Sequence, residues 1–199
     1  MCTVTEDSQT RKKTERKEEI LHAAVEIFAK KGFKATKVSD IASKADLSYG
    51  LIYHYFESKE SIFIELLDYA LEVSLGVFKL ASNSKGSPED KLKNIIHMII
   101  PRAYQGIGAY FFLIVVEAYK SDSVPLKAKE MVKETGLAYR KYLTPIIENG
   151  QDKGQIIEGD PAQITTVLLS LIQGLSVMSL QGKEPEIPEP ELVLNMFLV

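Results

Sequence analysis

Residues 36–59 read TKVSDIASKADLSYGLIYHYFESK, and this stretch decides the fold. Its first part carries apolar residues at spacings of three and four, at Val38, Ile41, Ala42 and Ala45. This spacing predicts a short helix, with Thr36 placed to cap its free amide groups. Asp46 falls where the chain must reverse, and Asp tolerates a left-handed backbone better than most residues. Ser48 is then placed to cap a second helix, so the stretch predicts two short helices joined by a tight turn.

The second helix exposes more aromatic surface than stability requires. Only Leu47, Ile52 and Phe56 are expected to be buried. The residues left without a core are Tyr49, Gly50, Leu51, Tyr53, His54 and Tyr55. Of these, Tyr53 can equally serve packing or a phosphate contact. A short helix with such a face suits a surface pressed into a nucleic-acid groove.

Composition allows a soluble globular protein with a packed core, at 199 residues and 45% hydrophobic content. The net charge of −3 is unevenly distributed, because residues 8–59 hold 11 basic and 7 acidic side chains. A basic head on an acidic body is typical of a polyanion-binding protein. One cysteine, Cys2, and three scattered histidines predict neither a disulfide nor a metal site, and no cofactor is expected.

Targeting signals are not evident in the sequence. The longest apolar runs, such as residues 110–116, are shorter than the roughly 20 residues of a membrane span, and the N-terminal residues are charged. We therefore expect a cytoplasmic protein with no membrane partner.

Many positions together resemble the N-terminal domain of the TetR/AcrR family of bacterial transcriptional regulators. The matching residues are 32–33, 36, 41–42, 45, 47–50, 52–56, 59–60 and 63, and the resemblance spans about residues 15–65. Asp46 departs from the family pattern, which usually has Gly there, and residues 49–51 are variable in the family. The resemblance implies an all-α fold of about nine helices, with an N-terminal helix-turn-helix domain and a C-terminal ligand-binding and dimerisation domain.

The candidate DNA contacts fall into two groups. Side chains at the start of the recognition helix can reach base edges, and hydroxyl, imidazole and ammonium groups further along can bind phosphates. The predicted DNA-binding residues are Thr36, Lys37, Ser48, Tyr49, Gly50, Leu51, Tyr53, His54, Tyr55 and Lys59.

The chain divides into three parts. Residues 1–13 are predicted to be a basic flexible arm, 14–60 the DNA-binding domain and 61–199 the ligand-binding and dimerisation domain. Apolar periodicity predicts a first helix over about 15–31 and a long fourth helix over about 58–80 that links head and body. Caps at Ser87 and Asp160 begin later helices, Pro101 kinks or ends one, and residues 191–199 form a final apolar helix.

The body offers aromatic, thioether and polar side chains that would serve a ligand cavity or, equally, an ordinary core. The resemblance implies an inducer held in this part of the chain. The candidates are Tyr69, Met98, Tyr104, Tyr110, Phe111, Glu117, Tyr139 and Tyr142. Glu117 would favour a cationic ligand only if it faces the cavity.

The eighth helix has two apolar sides, which calls for two partners. Ser170 and Gly174 would let another helix approach closely, as in a four-helix bundle across a two-fold axis. The predicted interface is Val167, Ser170, Leu171, Gly174, Leu175, Met178, Leu194 and Phe197. Burial of these residues within one chain is the alternative.

These features predict a ligand-responsive transcriptional repressor that binds a palindromic double-stranded operator as a homodimer and is released by a small apolar or amphipathic effector. No catalytic constellation is visible in the sequence, so an enzyme is not expected. An apolar-ligand carrier without DNA binding is the alternative, although a carrier would not need the exposed aromatic face.

Overall fold

A computed structural model describes residues 3–104, 107–178 and 188–199, with side chains from Arg11 onward except those of Ala103, Tyr104 and Ile107. Within these ranges the chain forms nine helices. They are α1 (Thr3–Ala35), α2 (Val38–Lys44), α3 (Tyr49–Tyr55), α4 (Lys59–Asn83), α5 (Pro88–Tyr104), α6 (Ile107–Lys120), α7 (Leu126–Asp152), α8 (Pro161–Met178) and α9 (Pro190–Leu194). The strand-like pairing there is one isolated antiparallel bridge between Ile156 and Leu198. The predicted all-α fold is confirmed.

Several helices begin where capping residues predicted. The backbone N–H and hydroxyl groups of Ser58 and Ser61 bond reciprocally at 3.1 Å each to start α4. The Ser87 hydroxyl accepts from the backbone N–H of Asp90 at 3.1 Å before α5. At α8, which begins with a proline, the Asp160 carboxylate accepts from the Ala162 N–H, the first of the helix, at 2.8 Å. These local bonds satisfy amide groups that a helix start leaves free.

The first helix is longer than its apolar pattern predicted. It begins at Thr3 rather than near residue 15 and reaches Ala35, interrupted at Gly32 by non-helical angles of φ 73° and ψ 166°. Extension of an existing helix requires no new nucleation, and an Arg11–Glu15 pair at 3.0 Å supports the added turns. The stretch predicted to be a flexible arm is therefore helical from Thr3.

Pro101 and the C-terminus show how two other predicted helix ends turn out. Of the two predicted outcomes at Pro101, a kink or an end, the end is excluded, because Pro101 lies inside α5, which continues to Tyr104. The final helix ends at Leu194 instead of reaching Val199, because the following residues turn back and the Phe197 carbonyl accepts from the Ile157 amide at 3.0 Å. Pairing with another segment has replaced helical hydrogen bonding at this terminus.

Two apolar cores lie along the molecule, and α4 contributes to both. The proximal core joins α1, α2, α3 and the first half of α4 to parts of α6 and α7, with Phe28 and Phe63 at its centre. The distal core joins the rest of α4 to α5, α7, α8 and α9, with Ile95 and Leu168 among its buried members. At about 1.5 Å per residue, α4 is about 37 Å long, enough to span both cores.

Candidate nucleic-acid interface and its supporting body

The turn between α2 and α3 fixes the direction of the recognition helix α3. Asp46 has φ 55°, and it is the only described non-glycine residue with a positive φ. The Leu47 amide donates to the Ala42 carbonyl at 2.9 Å, and the Asp46 amide donates to the Ser43 carbonyl at 3.4 Å. This bond pattern is the Schellman arrangement that ends a helix, in which glycine usually holds the left-handed position. Asp46 therefore makes the predicted turn at some backbone strain.

The start of α3 presents aromatic hydroxyl groups to solvent. Ser48 caps the helix by accepting from the Leu51 amide at 3.3 Å. Tyr49 and Tyr53 are 55% and 42% exposed, and a Cβ added at Gly50 would meet nothing within 4 Å. Since no packing inside the chain requires a glycine there, the open space beside Gly50 is available to a partner.

The other aromatic residues of α3 divide between surface and core. His54 is exposed, with its ring 5.1 Å from that of Tyr55. Tyr55 is half-buried against the proximal core, Ile52 is fully buried and Phe56 is buried, as predicted for Phe56. Tyr53 is not a core residue, which leaves its hydroxyl accessible.

One predicted DNA contact, the Thr36 side chain, is bound within the protein instead. Thr36 is 2% exposed and its hydroxyl donates to the Gly32 carbonyl at 2.8 Å, so it neither caps α2 nor reaches the surface. The residue before α2 is Lys37, which is exposed and whose amide donates to the Asp40 carboxylate at 3.2 Å. The Thr36 side chain is therefore no longer a candidate for DNA contact.

Lys59 has a structural role that spacing did not indicate. Its ammonium group donates to the Phe33 and Thr36 carbonyls at 2.8 and 3.0 Å and lies 4.4 Å from the centre of the Phe33 ring. A cation beside the last carbonyls of a helix satisfies them and complements the helix dipole. Lys59 thus links the start of α4 to the end of α1. Its ammonium group is therefore already bonded to protein carbonyls and is less available to a DNA phosphate.

The same end of α1 is also bound from the body. The Glu117 carboxylate on α6 accepts from the Phe33 amide at 3.2 Å, and a Cβ at Gly32 would lie 3.2 Å from the same carboxylate oxygen. The positive φ favours glycine at residue 32, and a Cβ there would also push the Glu117 carboxylate aside by a few tenths of an ångström. Glu117 was predicted in a ligand pocket, but it faces the head.

The other pocket candidates are dispersed. Tyr110 packs against the proximal core and lies 5.9 Å from the Lys30 ammonium group, so it too faces the head. The Tyr69 and Phe111 rings are 5.7 Å apart. The Tyr104 side chain lies outside the described residues.

Tyr139 is one of the candidates that pack within the body. Its ring lies 4.9 Å from that of Phe78, and its hydroxyl bonds to Ser74. Burial raises the pKa of its phenol, although the Ser74 bond opposes this. Tyr142 packs on the same distal core and Met98 is half-buried on α5.

Two open grooves are described on the body. One of about 460 Å³ lies between α4 and α7, and one of about 270 Å³ lies beside α8 and the C-terminal segment. None of the seven pocket candidates whose side chains the structure describes lines either groove. In the described part of the chain, no group of three His, Cys, Asp or Glu side chains could hold a metal ion.

The outer side of α8 is an unpaired apolar surface. Val167 and Met178 are 54% and 56% exposed, Ser170 and Gly174 are exposed, and Leu171 and Leu175 are half-buried. By length and composition α8 could also cross a membrane, and 22% of it is buried within the chain. A partner is needed to cover this side.

The predicted contribution of the C-terminal residues to that surface is wrong. Leu194 and Phe197 are 4% and 2% exposed because they pack into the distal core beneath α5. Leu192 and Met196 are the exposed apolar residues of this segment. The short helix and the turn after it place the two sets on different sides of the segment, which the continuous apolar pattern of the sequence did not reveal.

The sequence of the N-terminal head matches a known protein family. A family model described as bacterial regulatory proteins, tetR family, matches residues 20–66. The HTH-type transcriptional repressor KstR2 of Mycolicibacterium smegmatis is 30% identical over 139 residues, which are 70% of this chain and 66% of that protein. This chain belongs to the TetR family. The predicted family and the predicted class, a DNA-binding transcriptional regulator, are confirmed.

Other TetR-family relatives extend the match into the body. The fatty acid metabolism regulator protein of Bacillus subtilis is 27% identical over 141 residues, 71% of each chain. The structure of ketosteroid transcriptional regulator KstR2 of Mycobacterium tuberculosis has a TM-score of 0.73 at 22% identity, covering 92% of this chain and 95% of that one. The fold therefore agrees over head and body, and a carrier without DNA binding is not favoured. The family also points away from enzymatic activity.

Proposed function

We propose that this chain is a ligand-responsive repressor that binds a palindromic operator as a homodimer. The observation that carries the proposal is the exposed face of α3, where Tyr49 and Tyr53 present hydroxyl groups beside an unobstructed Gly50. Aromatic side chains that end in hydroxyl groups and do not pack into the core of the chain fit the polar major groove. Residues 14–60 form the DNA-binding head, 61–199 form the body, and the basic stretch before residue 14 lies along the phosphate backbone.

The contacts divide by position along α3. Ser48, Tyr49, Gly50 and Leu51 at its start read base edges, because the first residues of a recognition helix enter the groove. Tyr53, His54, Tyr55 and Lys37 bind phosphates. Lys59 acts indirectly by holding the end of α1 against α4.

The second copy of the chain covers the exposed side of α8. Two recognition helices related by a two-fold axis then meet major grooves about 34 Å apart on one face of the operator. The apolar residues Val167 and Met178 flank the small residues Ser170 and Gly174, so two α8 helices can approach closely. We propose this pairing, in a cytoplasmic protein, rather than contact with lipid.

The effector is a small apolar or amphipathic molecule bound in the body. The named relatives concern fatty acid metabolism and ketosteroid regulation, which favours acyl or steroid skeletons. Tyr69, Met98, Phe111, Tyr139 and Tyr142 remain our candidates for its contacts. Glu117 on α6 and Lys59 on α4 both bind the end of α1, so movement of either helix reaches the head.

Fluorescence anisotropy with labelled DNA from upstream of the chain's own gene tests this function. We expect tight binding that falls steeply with salt, competition by the same DNA but not by scrambled DNA, and loss of selectivity in a Tyr49→Phe, His54→Ala double variant. Equal affinity for specific and scrambled DNA at low salt would contradict the regulator. Binding of acyl or steroid probes in that case would favour the carrier.

A further inference from the structure

Tyr49 and Tyr53 form one hydrogen-bonded unit on the recognition helix. Their hydroxyl oxygens lie 3.1 Å apart, and either can donate. Their rings meet edge to face, with centroids 5.0 Å apart and planes at 61°. The spacing of four residues places the two side chains on one side of the helix, one above the other. Both are exposed, so this pair is a surface feature held by its own contacts.

Each phenol has one proton, and this limits what the pair can offer DNA. A tyrosine hydroxyl donates one hydrogen bond and accepts through its lone pairs. An ordinary tyrosine phenol keeps its proton near neutral pH, because its pKa is about 10. Within the pair, whichever hydroxyl donates to its neighbour has no proton left for an external acceptor.

Phosphate binding decides the direction of the internal bond. A phosphate oxygen accepts hydrogen bonds but donates none, so a Tyr53 hydroxyl on phosphate must give it the only Tyr53 proton. The Tyr53 oxygen can then only accept, and Tyr49 must donate to it. Tyr49, as the first residue of α3, is nearer the bases, and its oxygen is left with lone pairs alone.

From this geometry, and resting on the proposed function, we propose that Tyr53 is a positioning residue that makes Tyr49 a hydrogen-bond acceptor toward DNA. An acceptor in the major groove selects bases that present an amino group, which are adenine through N6 and cytosine through N4. The operator position that contacts Tyr49 is therefore adenine or cytosine on the contacted strand. The opposite bond direction would make Tyr49 a donor, which binds guanine, thymine or the N7 atom of adenine and gives no preference for adenine or cytosine over guanine and thymine.

Selection from a randomised operator library, followed by anisotropy on single-base variants, tests the assignment. The Tyr49 position is the one at which Tyr49→Phe loses its base preference. We expect the wild-type chain to prefer adenine or cytosine there by about fivefold, the equivalent of one net hydrogen bond. The Tyr53→Phe variant frees Tyr49 to donate or accept, so this preference should fall to less than about twofold while preferences at other positions persist.

Tyr119→Phe is the matched control, because Tyr119 is 58% exposed on α6 in the body. It should leave every base preference unchanged. Thermal unfolding of each variant shows whether the exposed substitutions leave the fold intact. Uniformly weaker binding by Tyr53→Phe with the adenine or cytosine preference retained would overturn the positioning role, as would a wild-type preference for guanine or thymine. A wild-type chain that selects no sequence at all would instead overturn the proposed function.

Discussion

The proximal and distal cores are built alike but leave different surfaces to solvent. Around the proximal core, the exposed aromatic residues Tyr49 and Tyr53 end in hydroxyl groups. Around the distal core, the exposed residues Val167 and Met178 of α8 have no strong hydrogen-bonding group. Hydroxyl-tipped rings suit a polar groove, whereas an aliphatic side suits another apolar surface. The chemistry of the uncovered residues thus distinguishes the end that we propose to face DNA from the end that we propose to self-associate.

The helix α4 prevents the two regions from being independent. Leu71 belongs to the proximal core and Phe78, two turns later on the same helix, belongs to the distal one. The proximal core also includes Ile114 of α6 and Val132 of α7, which lie far beyond the DNA-binding head in sequence. The head is therefore packed onto the base of the body.

The largest effect is expected from Phe63→Ala in the proximal core. Phe63 is fully buried, with its ring 5.2 Å from that of Phe28 and 5.0 Å from that of Phe33. Removing it should lower the free energy of unfolding by about 3–5 kcal/mol and the melting temperature by roughly 10 °C. Circular dichroism melts measure this. Leu92→Ala is the distal counterpart, and because α4 joins the cores, each variant should give one shifted transition. Two separate transitions in Phe63→Ala would show that the cores unfold independently.

Val167→Glu tests the surface of the distal region. A carboxylate in the centre of an apolar helix pair is desolvated without a partner, so the homodimer should dissociate. Losing simultaneous engagement of two half-sites should weaken operator binding about 100-fold. Light scattering gives the mass and anisotropy the affinity. Leu137→Glu, at a 62% exposed leucine of α7, is the control and should remain dimeric. A dimeric Val167→Glu protein would place the interface elsewhere.

What the sequence could predict depended on distance along the chain. The Asp46 turn and the Ser48 and Ser58 caps bond within five residues, so local spacing sufficed. The bonds that Lys59 and Glu117 make to Phe33 join residues 26 and 84 positions apart, and no local pattern reports such contacts.

The prediction of which C-terminal residues are exposed failed for a related reason. Leu194 and Phe197 are as apolar as the exposed Leu192 and Met196, and only the packing of α9 on α5 separates the two sets. An apolar run indicates that a segment needs a partner but not which partner covers each residue. Thr36 was misassigned in the same way, because a hydroxyl beside a helix start can equally bond backward to the preceding helix.

Glu117→Ala should affect the joint between the regions more mildly. It removes the acceptor of the half-buried Phe33 amide, which should lower the free energy of unfolding by about 1–2 kcal/mol. Hydrogen exchange should show faster exchange at the Phe33 amide, and melts give the stability. Glu117→Gln keeps an acceptor oxygen and should lose less. Unchanged exchange at Phe33 in Glu117→Ala would show that this bond does not hold the head to α6.

Asp46→Gly should stabilise the proximal region. The residue has φ 55°, which strains an L side chain but not glycine. Relief of this strain should add about 1 kcal/mol and raise the melting temperature by about 2–4 °C. Asp46→Ala keeps the strain and should give no gain. If both variants melt alike, backbone strain is not what Asp46 contributes.

The smallest effect concerns the pH dependence of the proximal region. The Glu26 carboxylate lies 2.6 Å from the Lys30 ammonium group and 2.7 Å from that of Lys44, which joins α1 to α2. The hydrogen bond from Lys30, followed by that from Lys44, lowers the pKa of Glu26 from 4.5 to about 2. Because the folded pKa is the lower one, this stabilisation is complete above pH 4.5 and is lost as the pH falls to about 2.

Glu26→Gln should therefore melt below the wild-type chain at neutral pH, with the gap closing between pH 4.5 and about 2. Glu18→Gln removes an exposed carboxylate from the same helix and is the control, whose gap should stay small throughout. The Glu26 side chain is 26% exposed, so added salt should also narrow its gap. A gap that persists at pH 2 would mean that Glu26 stabilises by packing.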